Sequence, residues 1–248
     1  MILEIDAGNT RIKWRLIGHD GVGGSLHCIC PDPGGSGAQG STKELGELPT
    51  RGVTRVRVSN VRGASFKDEL SAFFCEKVGV APEFAASCSK IGGVTNGYVD
   101  PSRLGVDRWL ALLAAYDSCR SACVVLDCGT TITLDIIDAG GMHKGGYIVP
   151  GVVLMRDSLS ARSAALSGVL PDHISLEPGR NTVEAISNGL AAMVAGLAHE
   201  VHRRQSDVAG GAVWFVCGGD AALIQSVLPW SSQHVPALVL DGLRIALP

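Results

Sequence analysis

Apolar residues along the chain fall into two patterns: short runs closed off by glycine or proline, and longer stretches in which they recur every three or four positions. The short runs predict strands near residues 2–5, 11–17, 54–59, 123–127, 131–137, 145–149 and 212–217. The periodic stretches predict helices near 66–78, 107–118, 152–165, 183–204 and 220–227. Trp109, Leu112, Leu113 and Tyr116 make one stripe of the second helix, and Ile186, Leu190, Met193, Ala195 and Leu197 give the fourth a broad face to bury. Strands precede helices in both halves, so an α/β fold is expected. At 248 residues the chain has room for two lobes with a core each, which we expect at 1–118 and 119–248.

The halves echo each other. The first strand, in MILEIDAGNT, breaks into Asp6-Ala7-Gly8-Asn9-Thr10, and VVLDCGTTITLDI breaks likewise into Asp127-Cys128-Gly129-Thr130-Thr131, close to half a chain later. A second apolar strand follows each break within a few residues. One Asp-x-Gly turn is an ordinary hairpin, since both residues are good turn formers. Two copies half a chain apart imply related lobes whose turns can face one another across a cleft, where nucleotides commonly sit.

Gly8 and Gly129 lack a Cβ and so let an anion approach main-chain N–H groups. Asn9, Thr10, Thr130 and Thr131 add neutral donors, and Lys13 on the returning strand adds a point charge. A carboxylate repels a phosphate unless a cation lies between them. Asp6 and Asp127 therefore call for bound metal: Mg²⁺ carried with the nucleotide, and a monovalent ion.

Between the turns lies NGYVDPSRLGVDRWLALLAAY, in which Gly105, Val106, Asp107 and Arg108 open the second helix. Asp107 is either a first-turn cap and dipole partner or a proton acceptor beside an arginine able to fork a carboxylate substrate, with Tyr98 upstream. A base, an anion clamp and two phosphate turns describe a small-molecule kinase. Downstream, glycines flank a short strand in GGYIVPG. Gly218 and Gly219 of WFVCGGD either admit an adenosine against the main chain or serve close packing. Thr182, in GRNTVEA, helps start a helix.

Composition narrows the partners. With 18% charged residues and a net charge of -3, the chain has no general attraction for nucleic acid or an anionic membrane, so a polyanion must be held locally. No apolar run reaches membrane-span length and no export signal leads the sequence, which makes a cytoplasmic location the expectation. The eight cysteines are then read as reduced thiols. His27-Cys28-Ile29-Cys30 and the group Cys119, Cys123 and Cys128 lack two CxxC knuckles at zinc-finger spacing, and are structural thiols ahead of metal ligands. The segment PDPGGSGAQGST, 31–42, holds a formal G-x-G-x-x-G, but a Pro-Asp-Pro leads into it rather than a strand, so it reads as a loop tip.

The ordered set DAGNTRIK, NGY, GVDRW, DCGTT with Asp135 following, GGYIVPG and GRNTVEAISNG resembles the type III pantothenate kinases, members of the superfamily that includes actin, sugar kinases and the heat-shock chaperone ATPases. The resemblance runs from Leu3 to Asp220 and is poorest over 18–52. It implies two related ribonuclease H-like lobes in an actin-like ATPase fold with a nucleotide cleft between them. It also implies transfer of the ATP γ-phosphate to the primary hydroxyl of pantothenate, the opening step of coenzyme A synthesis. Carried over residue by residue, Asp6, Ala7, Gly8, Asn9, Thr10, Arg11, Ile12 and Lys13 would form the first ATP-phosphate motif. Asp127 through Thr131 would form the second, with Thr130 touching the nucleotide. Asp107 matches the proton acceptor, and Tyr98, Gly105, Val106, Asp107, Arg108 and Thr182 would surround pantothenate. Asp127 matches the position associated with an activating potassium or ammonium ion. The resemblance further implies a homodimer in which Thr182 reaches the partner's pantothenate site. Two other readings stand beside this one: a sugar or amino sugar kinase of the same superfamily, and a regulatory accessory factor that binds partners without catalysis. GVDRW after NGY points to pantothenate against the first, and an intact Asp107 with both turns speaks against the second.

Overall fold

The structure is a computed structural model that describes residues 1–18, 23–30, 45–161, 174–205 and 211–248. The chain divides into two compact units, Met1–Ala114 with Ala237–Pro248, and Ala115–Pro236. The loop tip expected at 31–42 lies outside the described residues.

The first unit is built on strands β1 (Ile2–Ala7), β2 (Ile12–Ile17), β3 (His27–Ile29), β4 (Arg55–Asn60) and β5 (Glu83–Phe84), in the order β3-β2-β1-β4-β5. β1 runs antiparallel to β2 and parallel to β4. Helix α1 (Ala64–Val78) buries Phe66, Leu70 and Phe74, spaced four apart on one face, in a core shared with Leu3, Ile5, Val56 and Val58. It stops at Gly79, whose φ of 71° is a left-handed C-terminal turn. A short hairpin, β6 (Lys90–Ile91) and β7 (Val94–Thr95), leads toward α2 (Val106–Cys119).

The second unit repeats the plan. Its strands are β8 (Cys123–Cys128), β9 (Thr131–Ile137), β10 (His143–Pro150), β11 (Val213–Cys217) and β12 (Gln233–His234), in the order β10-β9-β8-β11-β12. Again the first strand is antiparallel to the second and parallel to the fourth. Helices α3 (Val152–Ser160), α4 (Thr182–Gln205) and α5 (Ala221–Gln225) belong to this unit, and its core joins Val124, Leu126, Leu134, Leu190, Val194 and Trp214. Asp6 and Asp127 occupy the same place in the two sheets, one residue before the end of the first strand.

Three sequence expectations change. First, a further helix, α6 (Leu238–Ala246), closes the chain and belongs to the first unit, so 237–248 leave the lobe expected at 119–248. Leu238, Leu240 and Leu243 are buried, and Gly242 lies so near α2 that a Cβ there would be 2.2 Å from the Leu110 carbonyl oxygen. Asp241 accepts from Arg15 at 2.6 Å; Arg15 in turn pairs at 2.7 Å with Glu4, which is 1% exposed and also pairs with Arg57 at 3.3 Å. A carboxylate this deep is tolerated because two guanidinium groups face it. Second, Met193 is 64% exposed, because the buried stripe of α4 runs through Leu190, Ala191, Val194, Ala198 and Val201. Third, α2 is buried on every side from Trp109 to Ala115, beyond the single stripe expected. Among the described residues no helix is long and apolar enough to cross a membrane.

Candidate active site

In the first turn, Asp6 is buried at 9% exposure, with Lys13 directly opposite it on β2 and Ser59 opposite on β4. Asn9, Thr10 and Arg11 are exposed. Gly8 makes the bend tight: a Cβ there would sit 3.1 Å from the Arg11 carbonyl oxygen. Arg62 braces the bend from outside, donating from Nε to the Gly8 carbonyl at 2.6 Å while its guanidinium lies over the Phe66 ring. Sequence reasoning missed Arg62, which follows β4 and carries no local motif.

The second turn is held from three directions. The Gly129 N–H donates to the Thr131 carbonyl at 3.1 Å, that of Gly151 to Thr130 at 2.9 Å, and that of Asp220 to Cys128 at 2.9 Å. Both supporting segments approach too closely for side chains. A Cβ at Gly151 would lie 2.3 Å from the Gly129 oxygen, and one at Gly218 would lie 2.4 Å from the Cys128 carbonyl carbon and 2.6 Å from Asp127 Oδ1. Gly151 of GGYIVPG and Gly218 of WFVCGGD thus pack against the turn, and for Gly218 close packing is the role the structure displays. Burial pushes the Cys128 thiol well up, and the carboxylates of Asp127 and Asp220 push it further. Two acidic groups therefore flank the turn, Asp127 from the motif itself and Asp220 from the segment after β11, which no turn motif marks.

Asp107 is the second residue of α2, and its Oδ1 accepts from the Arg108 N–H at 2.8 Å. The carboxylate thus satisfies one N–H of the first helical turn and gains from the helix dipole. Gly105 makes its position possible, because a Cβ at 105 would lie 2.7 Å from that oxygen. Arg108 is 8% exposed, donates from Nη1 to the Tyr98 hydroxyl at 2.8 Å and lies beside the Tyr98 ring. Tyr98 is held by a residue that sequence reasoning passed over: the Asn96 amide donates to the carbonyls of Cys88 and Pro101 and accepts from the Tyr98 N–H at 3.0 Å. Tyr98, Gly105, Val106, Asp107 and Arg108 thus form one constellation.

Thr182 lies in the second unit, exposed at the first position of α4. Asn181, not Thr182, caps the helix: its Oδ1 accepts from the Glu184 N–H at 2.9 Å, and Glu184 reaches back to the Arg180 N–H at 2.8 Å. Thr182 is left lining an open groove of 660 Å³ together with Leu159, Asn181, Ile186 and Met193.

A bound cation has to fit these residues. Among the described residues no three His, Cys, Asp or Glu side chains gather into a metal cage. Single carboxylates such as Asp6 and Asp127, each beside a turn of neutral donors, suit a cation that takes its other ligands from phosphate oxygens and water.

A family model described as type III pantothenate kinase matches residues 2–204. The type III pantothenate kinase of Ectopseudomonas mendocina is 41% identical, with 100% of this chain and 99% of that protein covered. The corresponding protein of Marinobacter nauticus is 36% identical over 99% and 98%. Among solved structures, a conserved Baf family protein from Campylobacter jejuni has a TM-score of 0.64 at 18% identity, covering 98% of this chain and 95% of its own. The (R)-2-hydroxyglutaryl-CoA dehydratase component A of Acidaminococcus fermentans has a TM-score of 0.51 at 13% identity, covering 99% and 95%. These structural likenesses speak to the fold, a two-lobed actin-like α/β architecture.

Proposed function

This chain belongs to the type III pantothenate kinase family, and from that premise we propose that Asp107 is its proton acceptor, that Arg108 and Tyr98 hold the carboxylate end of pantothenate, and that the two Asp-x-Gly turns serve ATP. Members phosphorylate pantothenate with ATP in coenzyme A biosynthesis, and so does this chain. Phosphoryl transfer asks a protein for alignment and charge stabilisation more than for covalent chemistry. Asp107 would orient the primary hydroxyl and take its proton as the bond to phosphorus forms. The planar Arg108 guanidinium, supported by Tyr98, is built for a two-pronged grip on a carboxylate. Asp6 through Lys13 and Thr130 would bind the phosphates through backbone N–H groups, hydroxyls and the Lys13 ammonium. Mg²⁺ travelling with ATP, and a potassium or ammonium ion at Asp127, would supply positive charge against the triphosphate.

The observation that carries the assignment is the constellation of Asp107, admitted by Gly105, beside the Arg108–Tyr98 pair. ADP release coupled to a panel of acceptors tests the substrate, and Asp107→Asn tests the role. We expect that variant to keep its fold and its pantothenate affinity while turnover falls about 10²–10⁴-fold. Near-normal turnover would remove Asp107 from the chemistry. ADP release with sugars but not with pantothenate would transfer the reading to a sugar kinase.

We also propose a homodimer formed through the second unit. Leu159 on α3 and Met193 on the neighbouring α4 are exposed apolar side chains lining the groove that holds Thr182, and the same two helices also expose Leu154 and Val183. The eight cysteines are free thiols, which accords with a reaction in the reducing cytoplasm.

A further inference from the structure

Among the described residues β3 is the edge strand beside β2 and pairs with it at three positions: Ile29 with Ile12, Cys28 with Lys13, and His27 with Trp14. Ile29 is buried, while Cys28 and Cys30, on the opposite face by the two-residue period of a strand, are exposed. Their sulfurs lie 3.8 Å apart. Partial desolvation of its sulfur and the Cys30 thiol raise Cys28 above the ordinary thiol range, while Arg11 and Lys13 pull it down, so both cations of the first turn stand within electrostatic reach of the pair.

We propose that Cys28 and Cys30 are a vicinal dithiol that hydrogen peroxide closes to a disulfide, and that closure shifts Lys13 and weakens ATP binding. The coupling to ATP rests on the assignment of Lys13 to the phosphate site; the closure itself does not. In the first step one thiolate attacks a peroxide oxygen, the O–O bond breaks, and a sulfenic acid and hydroxide form. In the second the other thiolate attacks the sulfenic sulfur and expels hydroxide. Two thiols and one peroxide thus give one disulfide and two waters.

The geometry links closure to Lys13. At a rise of about 3.3 Å per residue the two Cα atoms stand about 6.6 Å apart, near the upper end of the ~4.4–6.8 Å that a disulfide spans. The sulfurs must close from 3.8 Å to about 2.05 Å, which shortens the strand across Ile29. A strand with three pairing positions has little to resist that bend, and the position at Cys28 is the one opposite Lys13.

The test uses the whole reduced protein before and after hydrogen peroxide, with peptide mapping and the KM for ATP. We expect a bond between residues 28 and 30 with the loss of two hydrogens, a KM for ATP raised about tenfold, as for a weakened charged contact, and full reversal by dithiothreitol. A Cys28→Ser/Cys30→Ser double variant should keep the reduced KM through the same treatment. Peroxide and dithiothreitol on the native chain keep the test decisive if that variant folds poorly. Failure to form the 28–30 bond overturns the proposal. A bond with an unchanged KM overturns the coupling, and Lys13→Ala run alongside assigns the failure. If that variant raises the KM, the ATP reading stands and the coupling alone is wrong; if it does not, the reading of Lys13 falls as well.

Discussion

Gly218→Ala should damage the second turn from behind. Gly218 adopts φ 96°, a conformation costing an L side chain of order 1–2 kcal/mol. Its added Cβ would lie 2.4 Å from both the carbonyl carbon and oxygen of Cys128 and 2.6 Å from Asp127 Oδ1. The obstructing atoms are mainly backbone, so relief requires moving the turn, and overpacking of this kind costs about 1–3 kcal/mol. The sum, about 2–5 kcal/mol, corresponds to a melting temperature lower by roughly 4–20 °C for a chain of this size. The same displacement moves the Asp127 carboxylate and the Cys128–Gly129 peptide, so the KM for ATP should rise in the fraction that stays folded. Thermal melts followed by circular dichroism, with ATP kinetics well below the melt, measure both effects. Gly196→Ala provides the opposite sign: it lies within α4 with no atom inside 4 Å of the new Cβ, and should stabilise by about 0.5–1 kcal/mol. A Gly218→Ala protein that melts with the wild type and binds ATP unchanged would refute the packing argument.

Arg108→Ala should raise the KM for pantothenate about 10–100-fold, the loss of a charge-assisted contact, with a smaller change in the KM for ATP, and Arg108→Lys should not restore it because an ammonium lacks the fork. Equal pantothenate kinetics in the two variants and the wild type would remove Arg108 from the carboxylate site. Replacing potassium by sodium at constant ionic strength should depress turnover if Asp127 helps hold a monovalent ion, and equal rates in both salts would count against that assignment. Met193→Glu should halve the mass measured by sedimentation, since it places a charge on the exposed apolar face of α4. A dimer that survives the substitution would move the interface elsewhere.

The sequence by itself determined the elements that depend on neighbours a few residues away. Seven strands and five helices start close to where hydrophobic period and breakers put them, the helix expected at 152–165 ending at Ser160 with 162–165 outside the described residues, since burial of a strand face or helix stripe follows a local repeat. The two Asp-x-Gly turns were legible for the same reason, and the matching strand orders show the duplication they implied. α6 was missed: it buries a clear face through Leu238, Val239, Leu240, Gly242 and Leu243, but its nine residues, broken by a glycine, are too few turns for a helical period to stand out from a short apolar run. The structure alone decided what crosses the chain. Arg62 reaches the Gly8 carbonyl, Gly218 backs onto Cys128, and Arg15 joins Glu4 to Asp241, across separations no motif spans. Side-chain period records only which way a residue faces. What it meets there depends on which distant segment packing brings alongside, as when β11 settles parallel to β8 and carries Gly218 and Asp220 to the turn beyond Asp127.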